Sequence, residues 1–201
     1  MTEFKPKGDL LDIREKVFNY RSYTPIPLAI AVIILAQPSW LSYFGGLLIV
    51  LLGESIRIWG VGYAGSATRT TSGVGGDILV VSGPFAHVRN PLYLGNFILS
   101  LGICVMAWPW MPWMLLIYIV LFGVQYGFII SLEEEHLQKK FGAEYSEYMK
   151  NVPRFFPRFS SYQKGNPNLV FNLKVAFRSE KSTLGNIIIF SIIIAIRWYF
   201  T

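Results

Sequence analysis

Apolar residues in this chain gather into five stretches separated by polar segments. Each stretch can be weighed against the roughly 20 residues that a helix needs to cross a bilayer. The first, residues 23–39, carries Pro25 and Pro27 near its start, where a helix tolerates proline best, and is short for a span. Trp40 and Tyr43 follow as interfacial anchors, which predicts a helical hairpin with the second stretch, 41–64. Gly45, Gly46, Gly53, Gly60 and Gly62 in that second stretch let a neighbouring helix approach closely. The third, 92–108, and the fourth, 112–132, flank an aromatic turn from Trp108 to Trp113, and the fifth, 184–201, is rich in isoleucine. Between them, 65–91 is a Gly-, Ser- and Thr-rich loop of functional length. Segment 133–182 is polar and basic, reading as helix to about Lys150 and as irregular structure beyond. The prediction is one all-α domain over 1–201: a polytopic membrane helical bundle of about five transmembrane helices with a cytoplasmic C-terminal helical segment.

Composition narrows this further. Of the 201 residues 53% are hydrophobic and 15% charged, more apolar surface than a soluble globule of this size can bury. The net charge of +6 does not point to nucleic acid, because the Lys and Arg are shared among connecting segments instead of forming one patch. Their distribution has another use. The segment before the first stretch holds five, the 65–91 loop holds Arg69 and Arg89, and 133–181 holds nine, whereas the two opposite loops hold none. By the positive-inside rule the N-terminus and both polar segments face the cytoplasm, by expectation on a bacterial inner membrane. The N-terminal residues lack the apolar core and cleavage site of a signal peptide. The two polar segments therefore face one compartment and can join in one site.

With one cysteine, Cys104, and two histidines, His87 and His136, metal ligation and thiol catalysis have little support. The run Gly73-Val74-Gly75-Gly76 follows no strand and reads as a flexible turn. Two motifs stand at the membrane boundary. One is Ser82-Gly83-Pro84-Phe85-Ala86-His87-Val88-Arg89-Asn90-Pro91-Leu92-Tyr93-Leu94-Gly95. The other starts at Glu133-Glu134-Glu135-His136-Leu137, continues through Phe141-Gly142, Tyr145 and Tyr148, and ends at Val152-Pro153-Arg154-Phe155-Phe156-Pro157. Singly these residues could mark helix ends, but together they suggest a polar pocket. Glu54 and Arg57, three apart in the second stretch, are either a paired charge facing the bundle or a polar wall of a substrate pocket. Arg154 has two readings as well, a contact to acceptor phosphate or to anionic lipid.

The two motifs and their spacing, over roughly residues 65–160, resemble the isoprenylcysteine carboxyl methyltransferase and phospholipid methyltransferase superfamily. That resemblance implies an S-adenosylmethionine pocket built by the loop before the first motif, the motif itself and the acidic pair. Asp77, Ile78, Leu79 and Val80 would line the cofactor, with Phe85, Arg89, Asn90 and Tyr93 completing its surface. Glu133 would stand nearest the methyl-transfer centre, with Glu134 as its catalytic neighbour. The family usually has histidine where this chain has Asn90. Prenylcysteine-methylating members carry an arginine shortly before the acidic pair, and residues 127–132 here offer none, so the site leans towards an amine, thiol or other lipid head group. The implied partners are the lipid bilayer and a lipophilic small-molecule acceptor. Two other classes remain open: a sterol-type membrane reductase using NADPH, and a non-catalytic transport or scaffold protein.

Overall fold

A computed structural model describes residues 13–65, 78–162 and 169–200 of the chain. Asp77 and the Gly73–Gly76 run lie outside the described residues, as do the first twelve residues of the N-terminal segment. Among the described residues the regular structure is all helical: α1 Ile13–Asn19, α2 Ile26–Ile34, α3 Trp40–Ala64, α4 Pro91–Ala107, α5 Trp113–Asn151 and α6 Leu173–Phe200, with a 3-10 turn at Gly83–Ala86. Three of these, α3, α5 and α6, are long and apolar enough to cross a membrane, and α4 is a shorter apolar helix of 17 residues. Their outward faces carry exposed Leu48, Leu52, Val120, Val124, Ile188 and Ile192, apolar surface that a lipid environment accommodates and water does not.

The first apolar stretch behaves differently from its pattern. Only 26–34 of 23–39 is helical, and at 1.5 Å per residue it is about 14 Å long, half the thickness of a hydrocarbon core of about 30 Å. Pro38 explains the early stop, since it disfavours helical backbone at Gln37. The Gln37 amide instead donates to the Ala107 carbonyl at 2.9 Å, which docks the segment on the end of α4 and buries Ala36 completely. Helix α3 then restarts from a reciprocal cap in which the Ser42 amide donates to Ser39 Oγ at 3.2 Å and the Ser39 amide to Ser42 Oγ at 2.8 Å.

Helices α3 and α4 run antiparallel along a glycine seam. A Cβ on Gly46 would lie 2.3 Å from the Met106 nitrogen, one on Gly53 2.4 Å from the Leu99 nitrogen, and one on Gly102 2.5 Å from the Val50 nitrogen. Gly95, whose Cβ would lie 2.9 Å from the Gly53 carbonyl oxygen, completes the set, so glycines stand seven residues apart on each helix and one face of each backbone meets the other directly. Gly53→Ala is expected to destabilise the protein by about 1–3 kcal/mol through overpacking against backbone that cannot retreat. Thermal unfolding in detergent checks this. Gly45→Ala is the control, because its new methyl meets open space.

One agreement and one difference position the site. Helix α5, 39 residues in all, runs without a loop through the expected membrane boundary to Asn151, in keeping with a helix read to about Lys150, and its backbone is broken only at Gly142, where φ is +53°. Helix α6 begins eleven residues before the expected apolar span at 184. Asn172 starts it, accepting at its side-chain oxygen from the Val175 amide at 3.1 Å, and the helix buries Ala176 and Glu180. The C-terminal end of α3, the start of α4, the distal half of α5 and the start of α6 thereby gather at one end of the bundle. A small core of Leu79, Val81, Tyr145, Tyr148 and Val152 forms there.

Candidate functional site

The first motif enters the site through a tight turn. Gly83 has φ of +61° and lies under the Tyr63 ring, where a Cβ would come within 2.3 Å of Cδ2, so only glycine fits. The 3-10 turn leads to Asn90, and Pro91 opens α4. Residues after α5 run back along this motif as a strap. The Arg89 amide donates to the Pro153 carbonyl at 2.9 Å, the Arg158 amide to His87 at 3.0 Å and the Tyr162 amide to Ala86 at 2.9 Å. Tyr148 adds a hydroxyl bond to the Phe85 carbonyl at 2.7 Å. Burial raises Tyr145 and Tyr148 above the ordinary phenol range, so both remain neutral.

The two adjacent acids of α5 have unlike surroundings, as successive helix positions point about 100° apart. Glu134 is buried and held by cations. Arg89 reaches its Oε1 through Nε and Nη2, each at 3.0 Å, while Arg89 Nη1 donates to the carbonyls of Met149 at 3.0 Å and Val152 at 2.7 Å. Arg154 pairs with Glu134 Oε2. Asn90, an N-cap residue whose side chain makes no cap bond, turns its amide towards Glu134 Oε1 and the Arg154 carbonyl, at 3.4 Å each. Glu133 accepts instead from the Tyr93 hydroxyl at 2.6 Å; burial pushes its carboxyl above the ordinary range, against the opposing pull of that bond and of the Arg21 charge. Glu135 faces outward, where Lys139 and Arg14 hold it below the usual carboxylate range. Its bond to Arg14, 2.9 Å long, ties α1 to α5.

The residues singled out in the sequence thus fall into separate places. Arg89, Asn90, Tyr93, Glu133, Glu134 and Arg154 come together between α4, α5 and the strap. Arg89 and Arg154, expected to touch cofactor and substrate, both face Glu134. Leu79 belongs to the small core beneath the site, Val80 and Phe85 are half-buried, and Ile78 is exposed. Glu54 and Arg57 stand deeper in the bundle as an ion pair at 3.4 Å, with Arg57 also paired to Glu180 at 2.6 Å. Three polar residues escaped the sequence reading. Asn96 and Tyr126 lie inside apolar stretches, a placement that itself signals function. Tyr126 also sits two turns before Glu133. Glu180 was hidden in a segment read as irregular.

Comparison with known proteins is consistent with this geometry. The profile of the phospholipid methyltransferase family matches residues 41–144, more than half of the chain. Protein-S-isoprenylcysteine O-methyltransferase of Homo sapiens is 34% identical over 134 residues, 61% of this chain and 43% of that protein. Protein-S-isoprenylcysteine O-methyltransferase B of Arabidopsis thaliana is 31% identical over 126 residues, 61% of this chain and 62% of that protein. The cobalt-zinc-cadmium resistance protein CzcN of Cupriavidus metallidurans is 33% identical over 121 residues, 59% of this chain and 50% of that protein. The chain spans about half the length of the curated relatives it matches. No solved structure matches it. Helix α3 from its second residue, all of α4 and the α5 segment that carries the acidic pair lie inside the matched region, and the chain belongs to the phospholipid methyltransferase family.

Proposed function

We propose that the chain is an integral membrane methyltransferase that uses S-adenosylmethionine and acts on a lipid or lipid-embedded acceptor, with its active site at the cytoplasmic face. The observation that carries this reading is the closure of the first motif on the acidic pair, Arg89 and Asn90 on Glu134 and Tyr93 on Glu133. The donor set fits the cofactor. A sulfonium is a cation, and Glu133 is the acid of the pair that no guanidinium bridges among the described residues, while the Tyr93 and Tyr126 rings beside it offer π faces. Ile78, Leu79, Val80, Phe85, Asn90 and Tyr93 would hold the cofactor, which when bound supplies an electrophilic methyl group.

The protein's own part is orientation, charge and dryness. Tyr93 fixes Glu133 Oε1 by donating to it, leaving the carboxylate to face the cation and to receive a proton from an acceptor that must lose one. A lipid amine of pKa about 10 needs that proton removed, whereas a carboxylate of pKa about 4 does not. Arg89, Glu134 and Arg154 clamp the start of α4 to α5, and the Tyr145–Tyr148 layer keeps water from beneath the site. Calorimetric titration of the purified protein is expected to give saturable binding of S-adenosylmethionine and none of NADPH. Binding of NADPH alone would favour the reductase reading, and binding of neither a non-catalytic one. Incubation of membranes with methyl-labelled cofactor then identifies the acceptor from the labelled product.

A further inference from the structure

A polar chain crosses the bundle below the Tyr93–Glu133 pair and reaches a helix outside the family match. Glu180 on α6 is completely buried. Its Oε2 accepts from Arg57 Nη2 of α3 at 2.6 Å, and the same guanidinium approaches Thr183 Oγ1 and Glu54 Oε2, each at 3.4 Å. Arg57 Nη1 donates to Asn96 Oδ1 on α4. Asn96 Nδ2 in turn donates to the Tyr126 oxygen on α5 at 3.4 Å. The Tyr126 ring stands edge-on to Tyr93, centroids 5.0 Å apart, and Tyr93 holds Glu133.

The direction of this chain is set by chemistry. A guanidinium has donors only, so Asn96 must present its oxygen to Arg57 and therefore its NH2 group to Tyr126. Tyr126 then accepts at this contact, which fixes its hydroxyl, and its ring supports Tyr93. Glu180 holds the other end. Without the Glu180 charge, Arg57 would keep as an ion pair only the longer 3.4 Å contact of its Nε to Glu54 on its own helix, so its flexible stem could swing towards the aqueous boundary and release Asn96.

We infer that Glu180, Arg57 and Asn96 are positioning residues, which fix Tyr126 and through it the Tyr93 ring and the Glu133 carboxylate, so that α6 sets the geometry of the site. The kinetic consequence rests on the methyltransferase reading, but the brace itself does not. The test uses the full chain in detergent with Glu180→Gln, Tyr126→Phe and the double variant. Phenylalanine keeps the ring contact and removes only the hydroxyl, and glutamine keeps the shape of Glu180 and removes its charge.

Each single change is expected to lower kcat about tenfold, with the KM for S-adenosylmethionine within about twofold. The double variant falls no further than the weaker single, since both interrupt one chain, and Glu180→Asp recovers part of the rate. Rate losses that multiply, or singles that move only the thermal midpoint, overturn the inference. If the unaltered protein neither binds S-adenosylmethionine nor transfers methyl, the functional reading falls, and the thermal midpoints of the same four proteins decide the brace. Non-additive shifts uphold the connection and additive shifts dismiss it.

Discussion

Glu133→Gln is expected to lower methyl transfer by roughly 10²–10⁴-fold, the usual contribution of a well-placed acid–base group, while the protein stays folded in detergent. Glutamine fills the same volume, and its amide oxygen still accepts from the Tyr93 hydroxyl that now reaches Glu133 at 2.6 Å. What disappears is the negative charge and the ability to take a proton. An assay of labelled methyl incorporation beside a thermal unfolding curve separates loss of chemistry from loss of fold. A rate equal to that of the unaltered protein removes Glu133 from the mechanism. Glu134→Gln has a different signature, because the acid it replaces joins two arginines. Its first effect is on stability.

The second large effect follows from the same clamp. Arg89→Leu removes the guanidinium that joins Glu134 to the carbonyls of Met149 and Val152, and leaves a buried carboxylate with the half-exposed Arg154 as its charge partner. Removing one partner of a buried ion pair costs about 3–5 kcal/mol. The unfolding midpoint should fall accordingly, and proteolysis should reach the strap at 152–162 before the helices. Arg89→Lys should recover only a fraction, since an ammonium cannot address a carboxylate and two carbonyls with a rigid fork. A variant as stable as the unaltered protein would show that the strap is held by its main chain alone.

Much of this arrangement was legible in the sequence, for reasons that particular residues make plain. Long apolar stretches with few charges mark α3, the first half of α5 and most of α6, because a bilayer demands such length. The turn Gly83–Ala86 and Pro91 marked the start of α4. The convergence of the two motifs could be read from lysine and arginine counts, which place both at one face of the membrane. What could not be read is how partners are chosen. Glu133 and Glu134 are the same residue type in adjacent positions, and only the meeting of α4 with α5 decides that one faces a tyrosine and the other two arginines. Arg178, Glu180 and Lys181 make the start of α6 look like a polar linker. Its helix depends on the Asn172 cap and on Arg57 arriving from α3 to receive Glu180. The helix expected over 23–39 is only nine residues long as α2, because hydropathy counts Ala36 as span, whereas Pro38 turns the chain aside and the Gln37 amide meets the Ala107 carbonyl.

The strap that returns along the first motif is joined to it largely by amide-to-carbonyl bonds at Arg89, Arg158 and Tyr162. Such bonds ignore side-chain identity but depend on chain length. Substitutions between Phe155 and Pro157, whose side chains include the exposed Phe156, leave the register unchanged. Deleting a single residue there would pull the Arg158 and Tyr162 amides out of register with the His87 and Ala86 carbonyls, or strain the Arg89–Pro153 bond that precedes the deletion. In this part of the protein the fold tolerates new letters but not a shorter word.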